Sequence, residues 1–183
     1  MARWCRRTGE RSSALCDPDG AGVDAVAFGR DSTTLAVGVG NGTTYLWNTS
    51  TGQDATLPLP SSAAQVNAVA FSPDGITVAA SDQNGNTYLW DTTTHKLTAT
   101  LTDPASHAVV AAAFAPDGTT VATGDENGRT YLWDIVTGKL TATLTDFASQ
   151  GVNSVAFSPG GTTLATGDQN GNAYLWRITR RSP

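Results

Sequence analysis

Cysteine and histidine are scarce in this chain of 183 residues. Cys5 and Cys16 are the only cysteines, with no CxxC spacing and no histidine cluster beside them. That usage points to free thiols in a reduced compartment, not to a disulfide framework or a thiolate metal site. His95 and His107 are the only histidines and share no motif, so neither a histidine-based metal centre nor a Ser–His–Asp triad can be assembled around them. No run approaches the roughly 18 apolar residues of a membrane-spanning helix. The basic start, MARWCRRTGERSS, is not followed by an apolar segment of the secretory kind, so the expected location is the cytoplasm. Phosphate-cradling GxxxxGK[ST] and nucleophile-elbow GxSxG patterns are both missing.

Positive charge is also sparse where it would matter. Residues 12–176 hold four cations, Arg30, Lys96, Arg129 and Lys139, against fifteen acids, a net of −11. Each end carries +3, and the whole chain sums to −5. An acidic body repels phosphate backbones, which argues against nucleic-acid binding by residues 12–176. The basic ends read as solvated tails.

What is present is strand and turn chemistry: 19 glycines, many Thr and Val, and recurring Asn-Gly and Asp-Gly pairs. A repeat dominates the chain. Phe28, Phe71, Phe114 and Phe157 lie 43 residues apart, as do Tyr45, Tyr88, Tyr131 and Tyr174, and Trp47, Trp90, Trp133 and Trp176. Between 66–101 and 109–144, 25 of 36 positions are identical without a gap, so each unit must meet the same packing environment.

Within a unit the spacing predicts four short strands, A to D. In the second unit these are Val66–Phe71, Ile76–Ala80, Thr87–Asp91 and Lys96–Leu101. Ser72-Pro73-Asp74-Gly75 joins A to B, with Pro presetting φ and Gly supplying a positive one. Asn84-Gly85 joins B to C, where a left-handed pair is expected. Strands A to C are apolar or small on both faces, so one unit cannot bury its surface alone and the units must stack.

The last unit stops after its third strand, at Arg177-Ile178. Leu15 sits at the repeat position of Leu101 and Leu144, and Asp17-Pro18 at that of Asp103-Pro104. Residues 10–16 therefore read as a D strand that completes the last unit and closes a ring of four. The expected division is a basic tail 1–9, a repeat domain 10–180 and a tail 181–183. Its units are about 23–58, 66–101, 109–144, and 152–178 plus 10–16.

These residues resemble the WD40-repeat family, whose unit of 40–45 residues reads "V..VAFSPDG..LA.G...G...LWD". Here the copies are VNAVAFSPDGITVAASDQNGNTYLWD, VVAAAFAPDGTTVATGDENGRTYLWD and VNSVAFSPGGTTLATGDQNGNAYLWR. The first copy, VDAVAFGRDSTTLAVGVGNGTTYLWN, departs at its A–B turn and lacks the final Asp. The resemblance implies an all-β fold, a β-propeller of four-stranded blades. It departs from the family in two ways. The family's D–A histidine would fall near Asp19, Ser62, Ala105 and Ala148, and its Asp before the turn glycine is Asn41, Asn84, Asn127 and Asn170. The buried polar network is therefore expected to be reduced, or replaced through Asp82, Asp125 and Asp168, with weaker locking of each blade. Four blades are also fewer than the family's usual seven or eight, which leaves open a closed ring of four, a homodimer with an eight-blade ring, or a piece of a longer array.

Asp-x-Asn-Gly at 82–85, 125–128 and 168–171 lacks the further oxygens and the closing Glu of a calcium loop, so it reads as turn chemistry. No catalytic residue, metal or cofactor is expected. The resemblance implies a non-catalytic protein-interaction scaffold that uses the face built from D–A and B–C loops. The matching positions are Asp24, Asn67, Val110 and Asn153 at the starts of strand A, Gln83, Glu126 and Gln169 in the B–C turns, and His107 and Phe147 in D–A loops. They form a polar, mildly acidic rim suited to a peptide or basic protein segment. The alternatives are a ligand- or metal-binding, even enzymatic, propeller with Asp24, Asn67 and Asn153 converging at the axis, or a truncated array from a larger regulatory protein.

Overall fold

The computed structural model describes residues 20–57, 60, 64–145 and 150–179, together with the backbone of 4–6 and 13–15. Within these residues the chain is all β. The first sheet holds β3 (Val23–Phe28), β4 (Thr34–Val39), β5 (Thr44–Asn48) and β6 (Asp54–Leu57). The second holds β7 (Val66–Phe71), β8 (Thr77–Asp82), β9 (Asn86–Asp91) and β10 (Leu97–Thr102). The third holds β11 (Val109–Phe114), β12 (Thr120–Asp125), β13 (Arg129–Asp134) and β14 (Lys139–Thr145). The fourth has β15 (Val152–Phe157), β16 (Thr163–Asp168) and β17 (Ala173–Arg177). Each sheet is an antiparallel meander in sequence order.

Turn chemistry explains the meander. Gly75 at φ 77° ends the A–B turn, its N–H donating to Ser72 O at 2.9 Å. The B–C turn differs from the expected left-handed pair: only its glycine is left-handed, Gly85 at φ 86°. Oδ1 of Asp82 accepts the N–H of Asn84 at 3.0 Å and that of Asn86 at 2.7 Å, which holds the residues before Gly85 in a right-handed turn.

Sheets pack face to face along the chain, β3 on β7, β7 on β11 and β11 on β15. The third strand of each sheet decides how. Tyr88 and Trp90 point to one face, with ring centroids 5.5 Å apart, and Leu89 to the other. Leu46 of the first sheet packs with Tyr88 and Trp90 of the second, and Leu89 with Tyr131 and Trp133 of the third. Leu132 likewise meets Leu164 and Trp176 of the fourth. Trp47, Trp90 and Trp133 are buried, as their rhythm implies. Burying each such side chain contributes about 1.5–3 kcal/mol, so the joints between sheets form the core of the molecule.

The expected ring closure is not confirmed among the described residues. β2 (Ser13–Leu15) pairs with β1 (Trp4–Arg6), with Trp4 opposite Leu15. Among the described residues β17 pairs only with β16, and β15 has no packing on β3 comparable to the other joints. A neighbouring strand satisfies the backbone of β2 at a smaller loop-closure cost than one at the far end of the chain. The described sheets therefore form an arc of four, the last three-stranded, whose first and last sheets do not make a joint like the other three.

Candidate functional site

Every first strand begins with the same irregularity. Val23 pairs with Val39 and Ala25 with Gly38; Val66 pairs with Asp82 and Ala68 with Ser81. The third and fourth sheets repeat this at Val109/Ala111 and Val152/Ser154. The bulge leaves Asp24, Asn67, Val110 and Asn153 without a cross-strand partner. Bulges of this kind re-aim a side chain and commonly flank functional sites.

The B–C turns are tied to these strand starts. Gln83 N–H donates to Gln65 O at 3.0 Å, Glu126 N–H to Ala108 O at 3.1 Å, and Gln169 N–H to Gly151 O at 3.0 Å. The side chains of Gln83, Glu126 and Gln169 remain exposed, as do those of Asp24 and Asn153. These bonds place turn tips and bulged residues along one edge of the arc. Asn67 is half-buried and bridges two sheets, its Nδ2 donating to Val109 O at 3.2 Å. Val110 is half-buried too. His107 lies against the third sheet's turn, its Nε2 meeting Nδ2 of Asn127, while its carbonyl crowds Gly85 of the second sheet's turn. A Cβ at Gly85 would fall 2.8 Å from that oxygen, so the position needs glycine for space as well as for its positive φ. Phe147 lies outside the described residues.

Beneath the rim sits a ladder of carboxylates at the ends of the second strands. The hydroxyls of Tyr88, Tyr131 and Tyr174 donate to Oδ2 of Asp82, Asp125 and Asp168 at 3.2, 3.4 and 3.3 Å. This is the replacement network expected from the sequence. The indole N–H groups of Trp133 and Trp176 donate to Oγ1 of Thr123 and Thr166 at 2.8 and 2.9 Å.

Asp103, in the loop after β10, was not singled out in the sequence. It is buried, and its carboxylate accepts the N–H groups of Ala105 at 2.7 Å and His107 at 3.1 Å. The repeated Asp-Pro of Asp17-Pro18 and Asp103-Pro104 was its only signal. Burial pushes the Asp125 carboxyl up, and the Asp103 charge adds to this. The Tyr131 phenol is likewise raised, first by burial and then by the same carboxylates. At Asp168 burial acts upward too, but the Asn172 donors outweigh it and the carboxyl is lowered. Around Asp103 and Asp125 two carboxyls thus stand close together below the rim, in an arrangement that disfavours charge on Asp125.

Asp24 and Asn153 stand on the two end strands of the arc, β3 and β15, which do not pack together, so the convergence required by the metal-binding alternative is not formed. Among the described residues no group of three or more His, Cys, Asp or Glu side chains is placed to hold a metal. No helix among them is long and apolar enough to cross a membrane.

The family model for the WD domain, G-beta repeat, matches residues 12–48, 54–91, 95–134 and 138–177. The chain belongs to the WD40-repeat family. Each later match runs from the outer strand of one sheet through the third strand of the next, so the sequence repeat straddles a joint. The first match includes Ser13–Leu15 at the outer-strand position. No curated protein matches the chain. WD40 repeats generally mediate protein–protein interaction, and domains built of them are typically non-enzymatic.

Proposed function

We propose that this WD40 array is a non-catalytic scaffold that takes an extended, basic peptide or protein segment along its rim of bulged strand starts and B–C turns. One observation carries the reading: the same bulge sets one strand-start residue per sheet out of register beside the B–C turn. A repeated polar edge of that kind offers evenly spaced contacts to an extended partner. The carboxylates of Asp103 and Asp125 below the edge, and those of Asp24 and Glu126 on it, favour a cationic partner and disfavour nucleic acid.

The test is fluorescence polarisation with a Lys/Arg-containing extended peptide and its Asp/Glu counterpart. The basic peptide alone is expected to bind, with affinity falling as salt rises. Asp24→Lys combined with Glu126→Lys should weaken it on the order of tenfold, about 1.4 kcal/mol. Thr93→Lys, on the opposite edge, should leave it unchanged. Equal binding of both peptides, or equal loss from the Thr93 variant, would refute the rim.

The ligand-binding alternative has one observation behind it. On the opposite edge a groove of about 540 Å³ lies between the first two sheets, lined by Arg30, Asp31, Phe71 and Asp74 among others. Arg30 stands where the second and third copies have Pro73 and Pro116. A small anion that binds the wild type but not Arg30→Ala would favour that reading.

A further inference from the structure

The internal joints show what the free end faces are shaped to receive. Gly38 of the first sheet forms a notch: a Cβ there would lie 2.4 Å from Val66 Cγ1 and 3.2 Å from Val69 Cγ1 of the next sheet. Gly124 repeats it, at 2.6 Å from Val152 Cγ1 and 3.4 Å from Val155 Cγ1. At the middle joint the position is Ser81, whose hydroxyl is tied to that of Thr87 at 2.7 Å. On the fourth sheet it is Gly167. There, among the described residues, the only atom near the place of a Cβ is Oγ of Ser154, in its own sheet.

The complementary knobs stand free at the other end. Val23 and Val26 are the repeat counterparts of Val66 and Val69, yet they are 49% and 61% exposed, whereas Val66 and Val152 are 2% and 4% exposed. Beside them a cavity of about 150 Å³ is lined by Leu35, Tyr45 and Trp47 among others. Their counterparts Val78, Tyr88 and Trp90 pack with Leu46 of the preceding sheet. Leu175 holds the Leu46 position on the fourth sheet and is 77% exposed. Tyr45 and Trp47 are already buried in the single chain. The vacant part of the face is therefore its inner half and the mouth of the cavity.

We propose that a second copy of this chain occupies both faces: its Val23 and Val26 enter the Gly167 notch, and Leu175 enters the cavity beside its Trp47. Two-fold symmetry makes this joint twice, so each copy gives one face and receives one, and eight sheets close into a ring. The shape of the joints excludes the chain's own opposite face. Leu57 and Leu101, on outer strands, are buried in clusters with the next sheet, so neighbouring sheets stay in contact across their width. Three such joints leave β15 without comparable packing on β3, and closing the arc on itself would pry the outer strands apart. This inference is independent of the rim, because the joint uses the flanks of the end sheets and leaves the turns free.

Light scattering with mass determination on the full chain, over a dilution series, tests it. The expected mass at the concentrated end is twice that of one chain, with no larger species. Val23→Asp with Val26→Asp, and separately Leu175→Asp, alter side chains exposed in the single chain, so circular dichroism and Tm should be kept. Leu175→Ala replaces Leu175→Asp if the latter lowers Tm. Each variant alone puts a defect into both joints and is expected at the mass of one chain. An equal mixture has one intact joint, so pairs should return at reduced affinity. A wild type that stays monomeric overturns the proposal. So does a mass that keeps growing with concentration, or a mixture that stays monomeric where the wild type pairs.

Discussion

The Tyr88 hydroxyl donates to Oδ2 of Asp82 at 3.2 Å, with both residues buried in one sheet. The same carboxylate accepts the backbone N–H groups of Asn84 and Asn86, so one side chain ties the B–C turn to the aromatic core. Asp82→Ala strands these three donors and the Asn86 side-chain amide, which donates to Oδ2 at 3.4 Å, and is expected to lower unfolding free energy by about 2–4 kcal/mol. Tyr88→Phe removes one bond and should lower it by about 1 kcal/mol. Urea denaturation of both measures the ratio; similar losses would mean that the turn does not depend on the carboxylate.

Trp47 offers a gain. Its Nε1–H is buried and has no hydrogen-bond partner among the described residues, whereas Trp133 and Trp176 donate to Thr123 and Thr166. The first copy has Val37 at that repeat position. Val37→Thr should supply the acceptor and raise stability by about 1 kcal/mol, and Thr123→Val should lower it by about 1–2 kcal/mol. Denaturant midpoints of the two variants moving in the same direction would contradict the pairing.

The sheets and their order were legible because Phe28, Tyr45, Trp47 and their counterparts must repeat if every joint is alike. The carboxylate network was legible at Asp82, Asp125 and Asp168 because the family's own histidine was missing beside them. Closure was not legible: Leu15 carries the outer-strand pattern of Leu101 and Leu144, yet backbone bonds pair Ser13–Leu15 with Trp4–Arg6. The notch at Gly38 gave no signal of its own, since its reason, the Val66 methyl, belongs to another sheet. Asp103 escaped notice because loop acids are common and only its burial sets it apart.

Two left-handed residues mark stored strain. Ser32 has φ 58° where the other copies have Gly75, Gly118 and Gly161, and His95 has φ 56° where they have Gly52 and Gly138. Ser32→Gly and His95→Gly are each expected to stabilise by about 0.5–1 kcal/mol, since relief of left-handed strain exceeds the added entropy of the unfolded chain. A lowered Tm in either variant would contradict this.

Acid should weaken the fold through its turns. Asp31 is held down to about 2, chiefly by the Thr34 hydroxyl and then by the Thr34 and Thr33 N–H groups. Asp74 is lowered chiefly by the Ser72 hydroxyl, and Asp91 chiefly by the Thr94 N–H. A carboxyl lowered on folding contributes stability above its unfolded value, near 3.8 here, and loses it as pH falls through its folded value. Tm should therefore drop between about pH 4 and pH 2. Asp31→Asn should flatten part of that slope, whereas an unchanged slope would remove Asp31 from the account.

The central claim is that each sheet is completed by the face of its neighbour, and Gly124→Ala against Gly167→Ala tests it most directly. The two glycines hold one repeat position, so the effect of the added methyl on the unfolded chain cancels between them. At Gly124 the methyl would meet Val152 at 2.6 Å across a joint; at Gly167, among the described residues, it meets only the rotatable Ser154 hydroxyl. In urea denaturation at concentrations where the chain is monomeric, Gly124→Ala is expected to cost about 1–3 kcal/mol. Gly167→Ala should stay within about 0.5 kcal/mol of wild type. Equal losses at both positions, or none at Gly124, would contradict the stacking of sheets on which the rim and the ring both depend.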